Sequence, residues 1–204
     1  MERSSDKMNL AKQLFDAGVI QFGNFTLKSG LQSPIYVDMR RIISYPHLLR
    51  SVVEKLSQAT TDIPCHLLCG VPYAALPLAT GMALNRSLPM IMPRKEVKDY
   101  GTKRTIEGVF HPGQIALIIE DVVTSGASIL EIVAKLKEEQ LLVQDVLVVI
   151  DRQQGAPEKL AREGIFMHAL YTLSDITDAL FAQGVIDAAT IKNVGTFIKN
   201  NQLR

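Results

Sequence analysis

Short apolar segments alternate with longer amphipathic ones along most of the chain. Runs rich in Ile, Leu and Val predict buried β-strands at residues 67–71, 88–93, 115–119, 145–151 and 165–171. The segments between them carry apolar residues three and four positions apart, which predicts helices; the first has Leu10, Leu14 and Phe15 on one face. Strands separated by helices predict an α/β fold, with a mostly parallel central sheet flanked by helices. No repeat or linker interrupts residues 1–204, so we expect a single domain.

Composition and charge narrow the classes of function. The 204 residues are 47% hydrophobic and 21% charged, which is enough for one sizeable core. A formal net charge of +1 argues against a general nucleic-acid or membrane-surface binder. The two cysteines, Cys65 and Cys69, fit no disulfide framework or zinc signature, so we expect both to be reduced and structural. No signal-peptide pattern and no apolar run of about 20 residues is present, which predicts a cytoplasmic protein.

The segment LIIEDVVTSGAS, residues 117–128, combines two acids with a turn of small residues. Glu120 and Asp121 follow the predicted strand Ile115–Ile119, and residues 124–128 are predicted to turn into a helix. Backbone N–H groups, hydroxyls and the positive end of a helix dipole suit a phosphate. The carboxylates would repel that phosphate, so they are expected to face hydroxyls or a divalent cation. The alternative is an acidic strand end followed by a Ser/Thr helix cap.

This segment resembles the 5-phosphoribosyl diphosphate (PRPP) motif of type I phosphoribosyltransferases. The resemblance implies that the two acids bind the ribose hydroxyls and that the turn binds the 5′-phosphate. Its PRPP-contacting positions are Glu120, Asp121, Val122, Val123, Thr124, Ser125, Gly126, Ala127 and Ser128. Adjacent side chains on a regular strand point to opposite faces, so both acids can serve one sugar only if the strand curls there.

A basic polar segment, Pro93–Gly108, separates two apolar runs. It carries Arg94, Lys95, Lys98, Lys103 and Arg104 and too few apolar residues to bury an element. A loop of this length in a compact domain is usually functional or disordered. We interpret it as a lid whose cations close over a polyphosphate and exclude water. The alternative is a solvated surface loop.

The loop resembles the catalytic loop of orotate phosphoribosyltransferases. The resemblance implies that Arg94, Lys95, Lys98 and Tyr100 contact pyrophosphate, and that Lys98, Lys95 and Asp121 are catalytic. It also implies a homodimer in which the loop is donated across the interface. Mg²⁺ is the implied cofactor, held through PRPP rather than by side chains alone, with Asp121 as the candidate protein ligand.

Other segments match the same family at positions that contact substrates. The match places Lys28 at both PRPP and orotate, and it places Tyr73 and Ala74 in a pyrophosphate loop. Orotate is expected to contact Tyr36, Val37, Thr124 and Arg152, the last because a guanidinium can donate two parallel hydrogen bonds to a carboxylate. From the residues alone, Lys28 could be an exposed turn lysine, Tyr36 and Val37 half-buried strand residues, and Arg152 one half of a surface ion pair with Asp151.

Three positions depart from the common pattern of the family. Ala74 stands where many bacterial members have lysine, Tyr100 where they have histidine, and Glu120 where many have aspartate. With these departures the chain most resembles the N-terminal domain of eukaryotic uridine 5′-monophosphate synthases, in which a decarboxylase domain follows. The chain is too short to include that second domain, so we expect either an excised domain or a stand-alone enzyme.

The resemblance implies a type I phosphoribosyltransferase fold with a small N-terminal hood, and transfer of phosphoribosyl from PRPP to orotate. One alternative is a related transferase acting on a purine base. That alternative gives no reason for Lys28, the segment SPIYVD and Arg152 to occur together. A second alternative is a non-catalytic regulator that senses PRPP and binds nucleic acid, which the near-neutral charge disfavours.

Overall fold

A computed structural model describes residues 2–27, 30–94 and 105–202, with residues 2–8 described by their backbone alone. A six-stranded sheet forms the centre, in the order β5-β4-β3-β6-β7-β8. Its strands are β3 (Leu67–Gly70), β4 (Met90–Pro93), β5 (Ile106–Glu107), β6 (Ala116–Val123), β7 (Asp145–Asp151) and β8 (Phe166–Thr172). β5 is antiparallel to β4, and all other neighbours are parallel, with Cys69 opposite Ile118 and Ile118 opposite Val146. The predicted mostly parallel sheet is confirmed.

Helices flank this sheet, as the amphipathic segments predicted. They are α1 (Glu2–Asp16), α2 (Pro46–Ala59), α3 (Ala75–Arg86), α4 (Ala127–Glu138), α5 (Ala156–Arg162), α6 (Leu173–Ala182) and α7 (Ala188–Asn200), with a 3₁₀ turn at Met39–Ser44. Leu10 and Leu14 of α1 are buried, as their spacing indicated. Consecutive residues 146–151 of β7 are all buried, and this requires both faces of the sheet to be covered.

A separate hairpin near the N-terminus forms the small hood. β1 (Ile20–Thr26) and β2 (Gln32–Val37) pair antiparallel and are not hydrogen-bonded into the central sheet. β2 packs against α7, so the first strands of the chain meet its last helix.

One predicted boundary was wrong, and it lies at the acidic pair. The sequence indicated a strand ending at Ile119, whereas β6 continues to Val123. Glu120 is paired with Val148 of β7 and Val122 with Ile150, so the ladder runs through both acids. Pairing with a buried neighbouring strand outweighs the low strand propensity of acidic residues.

Candidate active site

The predicted site residues that the structure describes gather at one edge of the central sheet. β3, β4, β6 and β7 are parallel, so their C-terminal ends lie together at what we term the carboxyl edge. The described residues that follow the strands at this edge are 71–74, Arg94, 124–126 and 152–155. Ligands of open parallel sheets bind at such an edge. Lys28, Lys95, Lys98 and Tyr100 lie outside the described residues, and their roles stay predictions.

The two acids of β6 approach each other although they are neighbours on a strand. Glu120 is buried and Asp121 half-buried. The Asp121 N–H donates to Glu120 Oε1 at 3.0 Å, and Ser128 Oγ donates to Oε2 at 3.5 Å. The Glu120 side chain therefore turns back toward Asp121 and the start of α4. The strand curl expected at the two acids is not observed, because β6 keeps its regular pairing with β7 through them. The two carboxyl groups are nevertheless in contact.

Burial dominates the electrostatics of this pair. Desolvation raises the pKa of Glu120, and the hydrogen bond and charge of Asp121 raise it further. Two carboxylates in contact cannot both carry full charge at low cost, so the pair favours one proton in the absence of a ligand. Ribose hydroxyls or a cation would provide the partners that stabilise the fully charged form.

The turn after β6, residues 124–128, is termed the phosphate turn below. α4 begins after Gly126, which has φ +75°, and no side chain caps its first N–H groups. Thr124 is exposed and Ser125 half-buried, and neither supplies the cap. The Ser/Thr helix-cap alternative is therefore wrong. Uncapped N–H groups at the N-terminus of a helix are a ready site for an anion.

A second uncapped helix begins at the carboxyl edge on the neighbouring strand. β3 pairs directly with β6, and α3 follows it with Ala74 at the N-cap position and no side-chain cap. The Ala74 side chain is a methyl group, so any anion here would meet backbone N–H groups only. Tyr73 in the same loop is 65% exposed. The N-termini of α3 and α4 thus follow adjacent strands at this edge.

The base of the basic loop is a closed hairpin. Arg94 N–H donates to Thr105 O at 2.8 Å, and the Arg94 guanidinium is ion-paired with Glu107. Lys135 Nζ of α4 donates to Arg94 O at 3.0 Å, which ties the loop base to the helix that follows the phosphate turn. To contact pyrophosphate as predicted, the Arg94 guanidinium would have to leave Glu107 or bind both groups at once.

Arg152, directly after β7, is a buried cation. Only 5% of the residue is exposed. Its backbone N–H donates to Val123 O at 3.0 Å, next to the phosphate turn. Nε donates to Gln154 Oε1 at 3.2 Å, Nη2 donates to Ser33 Oγ at 3.3 Å, and the guanidinium carbon lies 5.8 Å from the centre of the Phe197 ring. Burial lowers the pKa of Arg152.

No carboxylate pairs with Arg152 among the described residues. The alternative of a surface ion pair with Asp151 is wrong, because Arg152 is buried and Asp151 Oδ1 accepts instead from the Gln153 N–H at 2.8 Å. A buried guanidinium without a counter-ion is costly unless a ligand supplies the charge.

The hood contributes Ser33 of β2 to the contacts of Arg152. The predicted orotate-binding residues Tyr36 and Val37 are neighbours on β2, so their side chains point to opposite faces of the strand. Ser33 and Val37 fall on one face, whereas Tyr36 falls on the other, with its ring stacked on Phe25 at 5.4 Å between ring centres. Arg152 contacts the Ser33 side, so Val37 shares a face with the guanidinium contact and Tyr36 does not. The orotate contacts of Tyr36 and Val37 stay predictions.

A cavity of about 390 Å³ lies beside the same edge, lined by Asp151, Gln153, Gly155, Pro157, Glu158, Thr172 and Gln202. Burial raises the pKa of Asp151, and the charge of Glu158 raises it further. An anionic substrate would meet two acidic groups here. The uncapped helices and Arg152 form the more suitable anion site.

Three residues of this site were missed by sequence reasoning, namely Ser33, Gln154 and Phe197. Each contacts the Arg152 guanidinium. Gln154 comes three residues after a predicted strand, and this position is a weak indication of a site residue. Nothing in the sequence near Ser33 or Phe197 indicates a contact with Arg152, because Arg152 is distant from both along the chain.

Comparison with known proteins decides the family. An orotate phosphoribosyltransferase of Caenorhabditis elegans is 43% identical over 174 residues, which cover 84% of this chain and 77% of that protein. The chain belongs to the orotate phosphoribosyltransferase family. An orotate phosphoribosyltransferase from Aeropyrum pernix has a superimposable structure, with a TM-score of 0.76 and 32% identity, covering 87% of this chain and 99% of its own. The predicted type I phosphoribosyltransferase fold is thereby confirmed.

The resemblance to uridine 5′-monophosphate synthase is also confirmed. The Bos taurus enzyme of that name is 47% identical over 195 residues, which are 95% of this chain. The chain spans about two fifths, 41%, of that relative's length. No protein-family model matches the chain. Within the part of the chain that the structure describes, no helix is both long and apolar enough to cross a membrane.

Proposed function

We propose that this chain transfers the phosphoribosyl group of PRPP to a ring nitrogen of orotate, giving orotidine 5′-monophosphate and pyrophosphate in pyrimidine biosynthesis. The observation that carries the proposal is Arg152. The residue is 5% exposed, its backbone N–H is bonded to Val123 O beside the phosphate turn, and its guanidinium lacks a carboxylate partner among the described residues. The carboxylate of orotate supplies the missing charge, and a guanidinium can bind it through two N–H groups.

The carboxyl edge suits the anionic donor. The phosphate turn would take the 5′-phosphate on the uncapped N–H groups of α4. The uncapped start of α3, on the adjacent strand, would take oxygens of the pyrophosphate. Between them, Glu120 and Asp121 would accept hydrogen bonds from the ribose hydroxyls. Two helix N-termini and an acidic pair on adjacent strands match a ligand with phosphates at both ends and a diol in the middle.

The reaction needs no nucleophile from the protein, because orotate itself attacks the anomeric carbon. Positive charge develops on the ribose and negative charge on the departing pyrophosphate, so catalysis rests on alignment and preorganised charge. Asp121 and Glu120 would hold the ribose and balance its developing charge. Lys95 and Lys98 are proposed to stabilise the departing pyrophosphate.

A magnesium ion fits this donor set when the substrate provides most of its ligands. The described residues include no group of three or more potential metal ligands, whereas Asp121 is half-buried and adjacent to a second carboxylate. Mg²⁺ is commonly held by one or two carboxylates together with substrate oxygens. When bound, the ion would neutralise pyrophosphate charge, and Asp121 would be its candidate protein ligand.

Orotate turnover tests the proposal directly. The protein is incubated with PRPP, Mg²⁺ and orotate, and the loss of orotate absorbance is followed. We expect turnover that depends on all three components. Consumption of adenine or hypoxanthine instead would favour the purine-base alternative, and PRPP binding without turnover of any base would favour a regulator.

We further propose a homodimer in which the basic loop of one subunit completes the site of the other. The proposal rests on the family resemblance and on the placement of the loop base at the carboxyl edge. Mixing Lys98→Ala subunits with Asp121→Asn subunits tests it, because each hybrid dimer would then contain one intact site. Activity recovered on mixing supports sharing, and two inactive parents that stay inactive together contradict it.

We also propose that the natural protein can include an orotidine monophosphate decarboxylase domain and acts in the cytoplasm. The chain matches only 41% of the bovine uridine 5′-monophosphate synthase and 38% of a Nostoc protein named bifunctional enzyme PyrF/PyrE. Immunoblotting of fractionated source cells tests both points. A band about the size of this chain, or one confined to an organelle, would contradict the corresponding proposal.

A further inference from the structure

Arg152 is held by three residues from three distant parts of the chain. Gln154 follows it closely, Ser33 comes from the hood, and Phe197 comes from the last helix. Gln154 is 2% exposed, Ser33 is 1% exposed and Phe197 is 7% exposed. These contacts fix a side chain whose rotamer freedom would otherwise be large, because a free arginine has many accessible rotamers.

The contacts leave one edge of the guanidinium available. Nε and Nη2 have protein partners, whereas Nη1 has none among the described residues. The same residues include no fully buried side-chain nitrogen without a hydrogen-bond partner, so Nη1 must reach an accessible surface. The edge formed by Nη1 and the remaining Nη2 hydrogen is therefore the edge that a carboxylate can reach.

The holding residues are themselves fixed. Ser33 Oγ donates to Ile35 O at 2.6 Å and accepts from the Ile35 N–H at 3.4 Å, so its hydroxyl proton is engaged and the oxygen can accept from Arg152. Gln154 Nε2 donates to Asn201 O at 3.4 Å, and this leaves Oε1 to accept from the guanidinium. Asn201 Nδ2 in turn donates to Phe197 O at 2.8 Å, which links the end of α7 to the ring under Arg152.

We propose that Ser33, Gln154 and Phe197 are positioning residues that present the Nη edge of Arg152 to the carboxylate of the acceptor, so that helix α7 sets the affinity for orotate. All three are neutral, and this matters as much as their geometry. A carboxylate at any of these positions would neutralise the guanidinium and remove its attraction for an anion. No hydrogen bond joins the phosphate turn to any of these three side chains in the described residues, so we expect the donor site to be independent of them.

This inference rests on the proposed function and is tested with two matched substitutions on α7. Phe197→Ala and Ile198→Ala each remove a large side chain that is 7% exposed, but only Phe197 lies under Arg152. Orotate binding is measured by equilibrium dialysis, and the Michaelis constants for orotate and PRPP by steady-state kinetics. We expect Phe197→Ala to weaken orotate binding about tenfold or more, with the PRPP constant within about twofold, and Ile198→Ala to leave both constants near wild type. Phe197→Tyr, which keeps the ring, should restore orotate binding.

A second substitution keeps the test decisive if Phe197→Ala does not fold. Gln154→Glu preserves size and the acceptor for Nε but adds a negative charge beside the guanidinium. It should weaken orotate binding by about tenfold to a hundredfold while the PRPP constant stays within about twofold. Orotate binding equal to wild type in Gln154→Glu, or equal loss in Phe197→Ala and Ile198→Ala, overturns the inference. A wild-type protein that binds no orotate overturns the proposed function instead.

Discussion

Replacing Glu120 by glutamine should make the stability of the protein less sensitive to alkaline pH. Burial and the neighbouring Asp121 raise the pKa of Glu120 from 4.5 to about 9. The folded state therefore keeps a proton that the unfolded chain releases. Its contribution to stability is complete below pH 4.5 and is lost as the pH rises toward the folded pKa. Glutamine keeps the shape of the protonated acid and has no proton to lose.

The magnitude follows from the slope of this linkage. Between the two pKa values each pH unit changes the free energy of unfolding by about 1.4 kcal/mol. Between pH 6 and pH 8 the free energy of unfolding of the wild type should therefore fall by about 3 kcal/mol more than that of Glu120→Gln. Urea denaturation followed by far-UV circular dichroism, at pH 6, 7 and 8 without divalent cations or substrates, measures that difference.

The control for this experiment is Glu131→Gln on α4. Glu131 is exposed, so its replacement makes the same chemical change from glutamate to glutamine without altering the acidic pair. Stability curves of wild type and Glu120→Gln that run parallel from pH 6 to pH 8 would refute the reasoning. PRPP affinity of Glu120→Gln should also fall, by about tenfold, because an amide offers one oxygen where a carboxylate offers two.

Three further predictions concern the loop, the phosphate turn and the cysteines. Lys98→Ala should lower kcat by on the order of a hundredfold, far more than it raises either KM, and unchanged kcat would contradict the lid role. Gly126→Ala forces a side chain to adopt φ +75° and should cost about 1–2 kcal/mol in urea denaturation and raise the KM for PRPP; an unaltered PRPP KM would contradict the placement of the phosphate. In the native protein at pH 8, Cys69 should not react with a thiol reagent, because burial raises its pKa to about 12, and Cys65 should react slowly, because burial raises its pKa too; reaction of both at the rate seen in urea would contradict this.

The sequence predicted the central sheet well because its inner strands are buried on both faces. β7 appears as an uninterrupted apolar run, and its bounds agree with the predicted segment Asp145–Asp151. β6 was cut short because Glu120 and Asp121 interrupt its run, although the ladder with β7 continues through them. Polar residues at a buried ligand site are where patterning is expected to fail.

The candidate site was predicted in its charged residues and missed in its neutral ones. Arg152 carries a charge at the end of a strand, which is a readable signal. Ser33 and Phe197 become significant only through contacts with Arg152, and hydrogen bonds between residues 119 positions apart leave no local pattern. The partnership of Arg94 with Glu107 was equally invisible, since both lie in one run of mixed charges.

The span of these contacts along the chain has a consequence for synthesis on the ribosome. The helix N-termini and the acidic pair are all built from residues 70–128, and the strands that hold them are complete by residue 172. The proposed site for the pyrimidine needs residue 33, which precedes these segments in the chain, and residue 197, which follows them. A nascent chain should therefore complete the proposed sugar-phosphate site first, and the proposed site for the base should form only after helix α7 has left the exit tunnel.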